Sequence, residues 1–150
     1  MGNISKLSGF PIAPEFPSLT TCRVTAGDAS GVGLYVADFT SGSRTIATRQ
    51  FSDYEMHQSS TFRECLVVWD VYASPSISIG SKFSNFQVIH ITDNKGVVSI
   101  FTIGSPKKHL QELALDMCHS CNHLGIKLHF LWHPRDTPIM QLVDRGSRGP

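Results

Sequence analysis

The chain has 150 residues, of which 41% are hydrophobic and 17% charged, and its formal net charge is +1 at pH 7. This is the length of one ordinary domain with a substantial core. The small charge argues against a stand-alone nonspecific nucleic-acid binder, which is usually strongly basic, and no run of about 20 apolar residues exists that could cross a membrane.

The N-terminal region predicts an extended lead-in followed by a meander of three strands. Residues 1–21 carry three prolines among isolated hydrophobic residues, which is typical of a linker or an arm packed on the surface. Three apolar segments then follow, separated by turns rich in Gly and Ser, and these predict antiparallel strands. The strands are predicted at 22–29, 33–39 and 44–51. Residues 53–60 are polar and are predicted to form only a connection.

The remainder of the chain alternates between helical and strand patterns. Apolar residues recur at helical spacing from Phe62 to Tyr72, with Ser59 or Ser60 as the cap. Residues 74–85, rich in Ser and Gly, predict a loop. Further elements are predicted as a strand at 86–92, a helix at 95–103, a helix from Pro106 to Gly125, a strand at 126–132 and a helix from Thr137. The order β-β-β-α-β-α-α-β-α predicts an α/β fold with a mixed five-stranded sheet and helices on both faces.

Four acidic residues stand at the ends or starts of these elements. Asp28 closes the first strand, Glu64 lies in the first turns of a helix, Asp93 follows the fourth strand, and Asp144 lies in the last helix. Converging carboxylates repel one another, and the usual reason to build such a cluster is to hold hard divalent cations. Two such ions can clamp the attacking and leaving oxygens of a phosphodiester. Taken singly, Asp28 is also a plausible turn residue, and Asp93 with Asn94 a plausible helix cap.

The cysteines and the other acids have plainer interpretations. Four cysteines and no apolar signal sequence predict reduced thiols in an intracellular protein, cytoplasmic or nuclear. Cys118 and Cys121 form a Cys-x-x-Cys pair near His123, but a structural zinc site needs four ligands, so both are interpreted as core residues of a helix. His90 is interpreted as a strand residue that faces a helix. Four further acids are predicted to be solvated, and these are Asp38, Asp53, Asp70 and Asp116.

Six short motifs carry a resemblance to a known family. They are Asp28-Ala29-Ser30 with Gly33, Ser60-Thr61-Phe62-Arg63-Glu64-Cys65-Leu66, Thr92-Asp93-Asn94-Lys95-Gly96-Val97-Val98, Leu113-Ala114-Leu115-Asp116, Trp132-His133-Pro134-Arg135 and Asp144-Arg145-Gly146-Ser147-Arg148. In combination they resemble the ribonuclease H (RNase H) fold, and more narrowly the RNase H domain that follows reverse transcriptase in retroelement polyproteins, especially DIRS-like elements. The resemblance predicts an RNase H-like domain at 22–148, with 149–150 as a tail.

The resemblance implies an enzyme that hydrolyses the RNA strand of an RNA–DNA hybrid with two Mg²⁺ ions, for which Mn²⁺ can substitute. It implies that Asp28, Glu64, Asp93 and Asp144 are the catalytic metal ligands, with Asp28 shared by both ions. His133 lies where many RNases H carry a histidine that helps the product leave, and its alternative is a surface histidine after a strand. An adjacent reverse transcriptase domain, or another protein partner, is implied as well, without any membrane.

The last motif departs from the family pattern, and this leaves alternatives open. Gly146 stands where the family usually has a leucine, and we expect it to weaken the helix end. Asp136 is the alternative ligand to Asp144. The basic start of the third predicted helix, at 107–109, is a candidate for phosphate contact, and its alternative is an ordinary exposed basic segment. No basic segment that carries a tryptophan and could bind the RNA–DNA hybrid is evident in the sequence. The alternative function is a decayed, domesticated RNase H-like domain that binds nucleic acid or protein. A transposase or integrase-type nuclease would carry its Glu last, whereas Glu64 comes second.

Overall fold

The computed structural model describes residues 22–74 and 79–149, so the predicted lead-in at 1–21 lies outside the described residues. The strands and helices are, in chain order, β1 (Cys22–Ala29), β2 (Gly33–Asp38), β3 (Arg44–Gln50), α1 (Asp53–Met56), α2 (Ser60–Tyr72), a 3₁₀ helix (Gly80–Phe83), β4 (Gln87–Thr92), α3 (Lys95–Ile103), α4 (Lys108–Leu124), β5 (Lys127–Trp132) and α5 (Pro138–Ser147). None of the described helices has both the length and the apolar composition that a bilayer crossing needs.

The strands form one mixed sheet in the order β3-β2-β1-β4-β5, which confirms the predicted fold class. β1, β2 and β3 pair antiparallel as a meander, whereas β4 runs parallel to β1 and β5 runs parallel to β4. In the parallel pair, Thr25 of β1 lies opposite His90 of β4. The carboxyl ends of β1 and β4 therefore meet at one edge of the sheet, where ligand sites of open α/β sheets lie.

Helices cover both faces of the sheet, as predicted. The larger core joins α2, α3 and α4 to one face, while a smaller core on the other face consists of Ala26, Ile91, Met140 and Val143 around α5. Between β1, β4 and α2, the Thr25 hydroxyl bonds both the Tyr72 hydroxyl and the His90 Nδ1 at 2.8 Å. This buried network ties the two central strands to α2, and it confirms that His90 is a strand residue facing a helix.

Two short helical segments lie where the sequence predicted only connections. α1 forms within the predicted connection at 53–60 because Ser52 and Glu55 make a capping box, in which each side chain accepts a hydrogen bond from the other residue's backbone. The 3₁₀ helix lies within the predicted loop at 74–85. The prediction at 53–60 was therefore wrong because the Ser-x-x-Glu cap was not recognised.

The predictions for two acids and one cysteine were also wrong. Asp38 and Asp70 are only 4% and 2% exposed, because arginines reach each of them from a neighbouring strand: Arg23 bonds Asp38 and Arg49 bonds Asp70. Cys121 is buried as predicted, but Cys118 is exposed, since its position on α4 turns it away from the core. Asp53 and Asp116 are exposed, as predicted.

Candidate metal centre

Three carboxylates from three elements converge where β1 and β4 end. Asp28 is the penultimate residue of β1, Asp93 directly follows β4, and Glu64 lies in the second turn of α2. One carboxylate oxygen from each lies within 4.8 Å of the other two. We call these three residues the acidic cluster. The position of Glu64 depends on the start of α2, where the Ser59 hydroxyl accepts a hydrogen bond from the Phe62 N–H at 3.1 Å.

Asp93 faces the cluster because its neighbour caps the following helix. Asn94 is the N-cap of α3, and its side-chain oxygen accepts a hydrogen bond from the Val97 N–H at 3.0 Å. The Asn94 N–H in turn donates to the Thr92 hydroxyl at 3.2 Å. The capping interpretation therefore holds for Asn94, while the Asp93 carboxylate points to the site.

The electrostatics of the acidic cluster show that its negative charge is poorly compensated. Burial raises the pKa of Asp28 above its usual range, and the charge of Asp93 raises it further. Burial also raises the pKa of Glu64, with the charge of Asp28 as the next contribution. Carboxylates in this situation need a shared proton or a cation. Because every donor is a carboxylate oxygen, the cluster fits a hard divalent ion such as Mg²⁺ or Mn²⁺.

Asp144 borders the cluster and does not lie within it. After burial and the charge of Asp93, Asp144 also raises the pKa of Asp28, yet it is not among the residues whose carboxylate oxygens all lie within 4.8 Å of one another. One turn along α5, Arg148 Nε lies 3.3 Å from its carboxylate. The structure thus brings three of the four predicted ligands together and places the fourth beside them.

Gly146 allows α5 to approach the sheet closely enough to hold Asp144 there. A Cβ atom on Gly146 would lie 2.4 Å from Cγ of the Tyr35 ring in β2, and real Cβ atoms do not come that close to another side chain. We expected this glycine to weaken the helix end, and the contact gives it a specific use, because any side chain here would push α5 off the sheet. At the same end of α5, the Ser30 hydroxyl donates to the Ser147 carbonyl oxygen at 2.7 Å.

Comparison with known proteins identifies the fold. The sequence matches no protein-family model and no curated protein. LC11-RNase H1, isolated from compost by a metagenomic approach, superimposes with a TM-score of 0.59 at 15% identity, over 85% of this chain and 89% of that one. The chain has an RNase H-like fold.

Two further solved structures share this fold. A foamy viral protease-reverse transcriptase in complex with an RNA/DNA hybrid matches with a TM-score of 0.55 at 13% identity, over 95% of this chain and 21% of that one. The N-terminal RNase H domain of a Mycobacterium tuberculosis protein matches with a TM-score of 0.51 at 16% identity, over 83% and 95% of the two chains. These identities are low, so the likeness shows the fold alone.

In this RNase H-like domain, the loop between β5 and α5 brings an arginine to the acidic cluster. Arg135 Nε donates to Asp93 Oδ2 at 3.2 Å. This hydrogen bond, followed by the negative charge of Asp93, raises the pKa of the guanidinium. His133 is half-buried, and its backbone N–H donates to the Thr92 carbonyl at 2.9 Å. A catalytic role for His133 stays a prediction.

The sequence predicted no role for Arg135 and no pairing of Trp132 with a basic residue, and the structure shows such a pairing beside the cluster. The Trp132 indole N–H donates to the Asp93 carbonyl at 3.0 Å, and the Lys95 ammonium lies 4.5 Å from the centroid of the indole ring. The available signal was the Trp132-to-Arg135 motif directly after a strand parallel to β4. Asp136, the alternative ligand, is exposed and outside the acidic cluster.

Proposed function

We propose that the chain is a metal-dependent endonuclease that hydrolyses the RNA strand of RNA–DNA hybrids. One observation carries this proposal: Asp28, Glu64 and Asp93 converge within 4.8 Å at the carboxyl ends of the central strands of an RNase H-like fold. A domain that only binds nucleic acid or protein would not require three mutually repelling carboxylates at one point. The substrate would be recognised through phosphates and 2′-hydroxyl groups across the wide minor groove of the hybrid.

The residues of the chain fit two roles in such a reaction. Asp28, Glu64 and Asp93 would hold a divalent cation, and we propose Asp144 as the fourth carboxylate of a two-ion site. Ions held in this way lower the pKa of a water molecule and stabilise negative charge on the phosphate and the leaving oxygen. The protein fixes the ligand positions: the parallel pairing of β1 with β4 sets Asp28 against Asp93, and the capped start of α2 brings in Glu64.

We further propose that the domain works beside a reverse transcriptase domain of a retroelement polyprotein. Two observations support this setting. The foamy viral protease-reverse transcriptase matches 95% of this chain over 21% of its own length. The net charge of +1 provides little nonspecific attraction to nucleic acid, so a neighbouring domain would supply part of the affinity.

The second candidate is a decayed RNase H-like domain that binds nucleic acid or protein without cutting. The two arginine pairs favour it: Arg135 lies on Asp93 and Arg148 on Asp144, so the chain itself neutralises part of the charge that metal ions would neutralise. This candidate predicts hybrid binding that is insensitive to divalent ions and to Asp93→Asn.

Cleavage of an end-labelled RNA–DNA hybrid tests the proposal, first with Mg²⁺ and then with Mn²⁺. The wild type is compared with Asp93→Asn and with Asp53→Asn, which changes an exposed acid outside the cluster. We expect cutting by the wild type and the Asp53 variant and none by Asp93→Asn. The nuclease proposal would be ruled out if the folded wild-type protein cut the hybrid with neither ion. The same result would have to hold when the domain is joined to a reverse transcriptase domain.

A further inference from the structure

The Arg135 guanidinium is attached to the acidic cluster by a single contact and is otherwise open to solvent. Its side chain is 83% exposed, whereas the side chain of its partner Asp93 is only 6% exposed. Within the described part of the chain, the recorded hydrogen bond uses Nε alone. A guanidinium carries five N–H groups, so the four on the terminal nitrogens remain available for a ligand.

The loop that carries Arg135 is fixed at its base to the end of β4. The Trp132 indole bonds the Asp93 carbonyl at 3.0 Å, and the His133 N–H bonds the Thr92 carbonyl at 2.9 Å. Arg135 follows two residues later and precedes the start of α5 at Pro138. The guanidinium can therefore leave Asp93 without leaving the site. The Lys95 ammonium, held over the Trp132 ring, adds a second positive charge on this side of the cluster.

A divalent cation and Arg135 would compete for the same carboxylate. Asp93 is one of the three acids of the cluster, and Arg135 donates a hydrogen bond to one of its oxygens. Because the Arg135 guanidinium stays in solvent, its single hydrogen bond holds it weakly, whereas a divalent ion would gain attraction from several carboxylates at once. An ion bound to Asp93 would therefore free the Arg135 guanidinium to pair with another anion near the cluster.

We propose that Arg135 is a substrate-contacting residue that pairs with Asp93 in the ion-free chain and binds a backbone phosphate of the polynucleotide once a divalent cation occupies the acidic cluster. This inference rests on the proposed function. The planar guanidinium can donate two parallel hydrogen bonds to one phosphate, which a lysine ammonium cannot do. Arg135 is thus paired with an anion both without and with the cation, first with the Asp93 carboxylate and then with the phosphate. Phosphate contact therefore follows ion binding.

Two binding measurements test the exchange. In the first, Mn²⁺ is titrated calorimetrically into the wild type, Arg135→Gln, Arg135→Lys and Arg44→Gln, without nucleic acid. Arg44 is an exposed arginine at the start of β3, at the opposite end of the sheet, and controls for the loss of one charge. In the second, binding of an RNA–DNA hybrid with unmodified 2′-hydroxyl groups is followed by fluorescence anisotropy, with saturating Ca²⁺ in place of Mg²⁺ as a second hard ion that takes oxygen ligands.

We expect opposite effects in the two measurements. Arg135→Gln should bind Mn²⁺ severalfold more tightly because its competitor is gone, and it should bind the hybrid about tenfold more weakly because a charge-assisted phosphate contact is lost. Arg135→Lys should recover part of the hybrid affinity, and Arg44→Gln should match the wild type. Hybrid affinity equal to wild type in Arg135→Gln, with or without tighter Mn²⁺ binding, overturns the inference while leaving the nuclease in place. A wild type that neither binds nor cuts hybrid overturns both.

Discussion

Helix α2 carries two acids in opposite electrostatic situations, of which Glu64 is half-buried and Asp70 is buried. Near its start, Glu64 joins Asp28 and Asp93, and burial with like charge raises its pKa. Near its end, Asp70 belongs to a second group in which Arg49 bonds both Asp70 and Glu55. There the hydrogen bonds from Arg49 lower the pKa of Glu55 to about 2. Burial is therefore common to both groups, and the presence of a central arginine separates a structural ion pair from a site that needs a cation.

The sharpest test of this comparison makes the same substitution in each group. Asp28→Asn should reduce hybrid cleavage at least about a thousandfold, or ~4 kcal/mol of barrier, while raising the melting temperature of the ion-free protein because a repelling charge is gone. Asp70→Asn should lower the melting temperature and leave the cleavage rate of the folded protein nearly unchanged. Cleavage assays and calorimetric melting in EDTA measure both effects, and a lower melting temperature for Asp28→Asn would contradict the comparison.

Without Arg49, the carboxylates of Asp70 and Glu55 should resemble the acidic cluster, because they would lack a positively charged partner. Arg49→Met leaves Asp70 and Glu55 without their common partner, and breaking a buried pair in this way costs about 3–5 kcal/mol. Urea unfolding at pH 7 gives the free energy of unfolding. Arg44→Gln, a change at a largely exposed arginine, serves as the control and should alter that energy by less than about 0.5 kcal/mol. If Arg49→Met and Arg44→Gln lost the same free energy of unfolding, the ion pairs of Arg49 would contribute no more to stability than an exposed arginine does.

Divalent ions should stabilise the acidic cluster. They should not affect the group formed by Arg49, Asp70 and Glu55, which we call the Arg49 group. An ion that binds only the folded chain adds about 2.7 kcal/mol at a hundred times its Kd, so Mg²⁺ or Mn²⁺ should raise the melting temperature of the wild type. The rise should disappear in Asp93→Asn and persist in Asp70→Asn. An equal rise in all three proteins, measured by differential scanning calorimetry, would place the ion elsewhere.

The pH dependence of the Arg49 group gives the smallest effect. Because the pKa of Glu55 is lowered to about 2 from 4.5, its ionised form stabilises the fold above pH 4.5, and this contribution is lost as the pH falls toward 2. Wild type should exceed Glu55→Gln in unfolding free energy by about 1–2 kcal/mol at pH 7 after allowance for solvent screening. Gln preserves the acceptor of the capping box, so the difference reports the charge. If the difference in unfolding free energy between wild type and Glu55→Gln were the same at pH 2.5 as at pH 7, the charge of Glu55 would not be its cause.

The sequence predicted local structure better than it predicted charge partners. β1 and α3 begin and end where predicted, because glycine-rich turns and the Asn94 cap are signals within a few residues. The fates of Asp38 and Asp70 could not be predicted, since their arginines lie 15 and 21 residues away in sequence. Arg135 is 42 residues from Asp93. Convergence of Asp28, Glu64 and Asp93 was predicted because each lies in a motif that resembles a known family, whereas no such motif marks Arg23 or Arg49.

The contact between Gly146 and Tyr35 has an evolutionary consequence. The Tyr35 ring in β2 fills the space that a side chain at position 146 of α5 would need. A substitution at either position therefore restricts which residue fits at the other. Among homologous chains we expect these two positions to covary, with a small residue at 146 wherever an aromatic ring stands at 35. A larger residue at 146 should be accompanied by a smaller one at 35. Distant relatives would then be recognised by this pair of positions better than by the residues that directly surround their last acid.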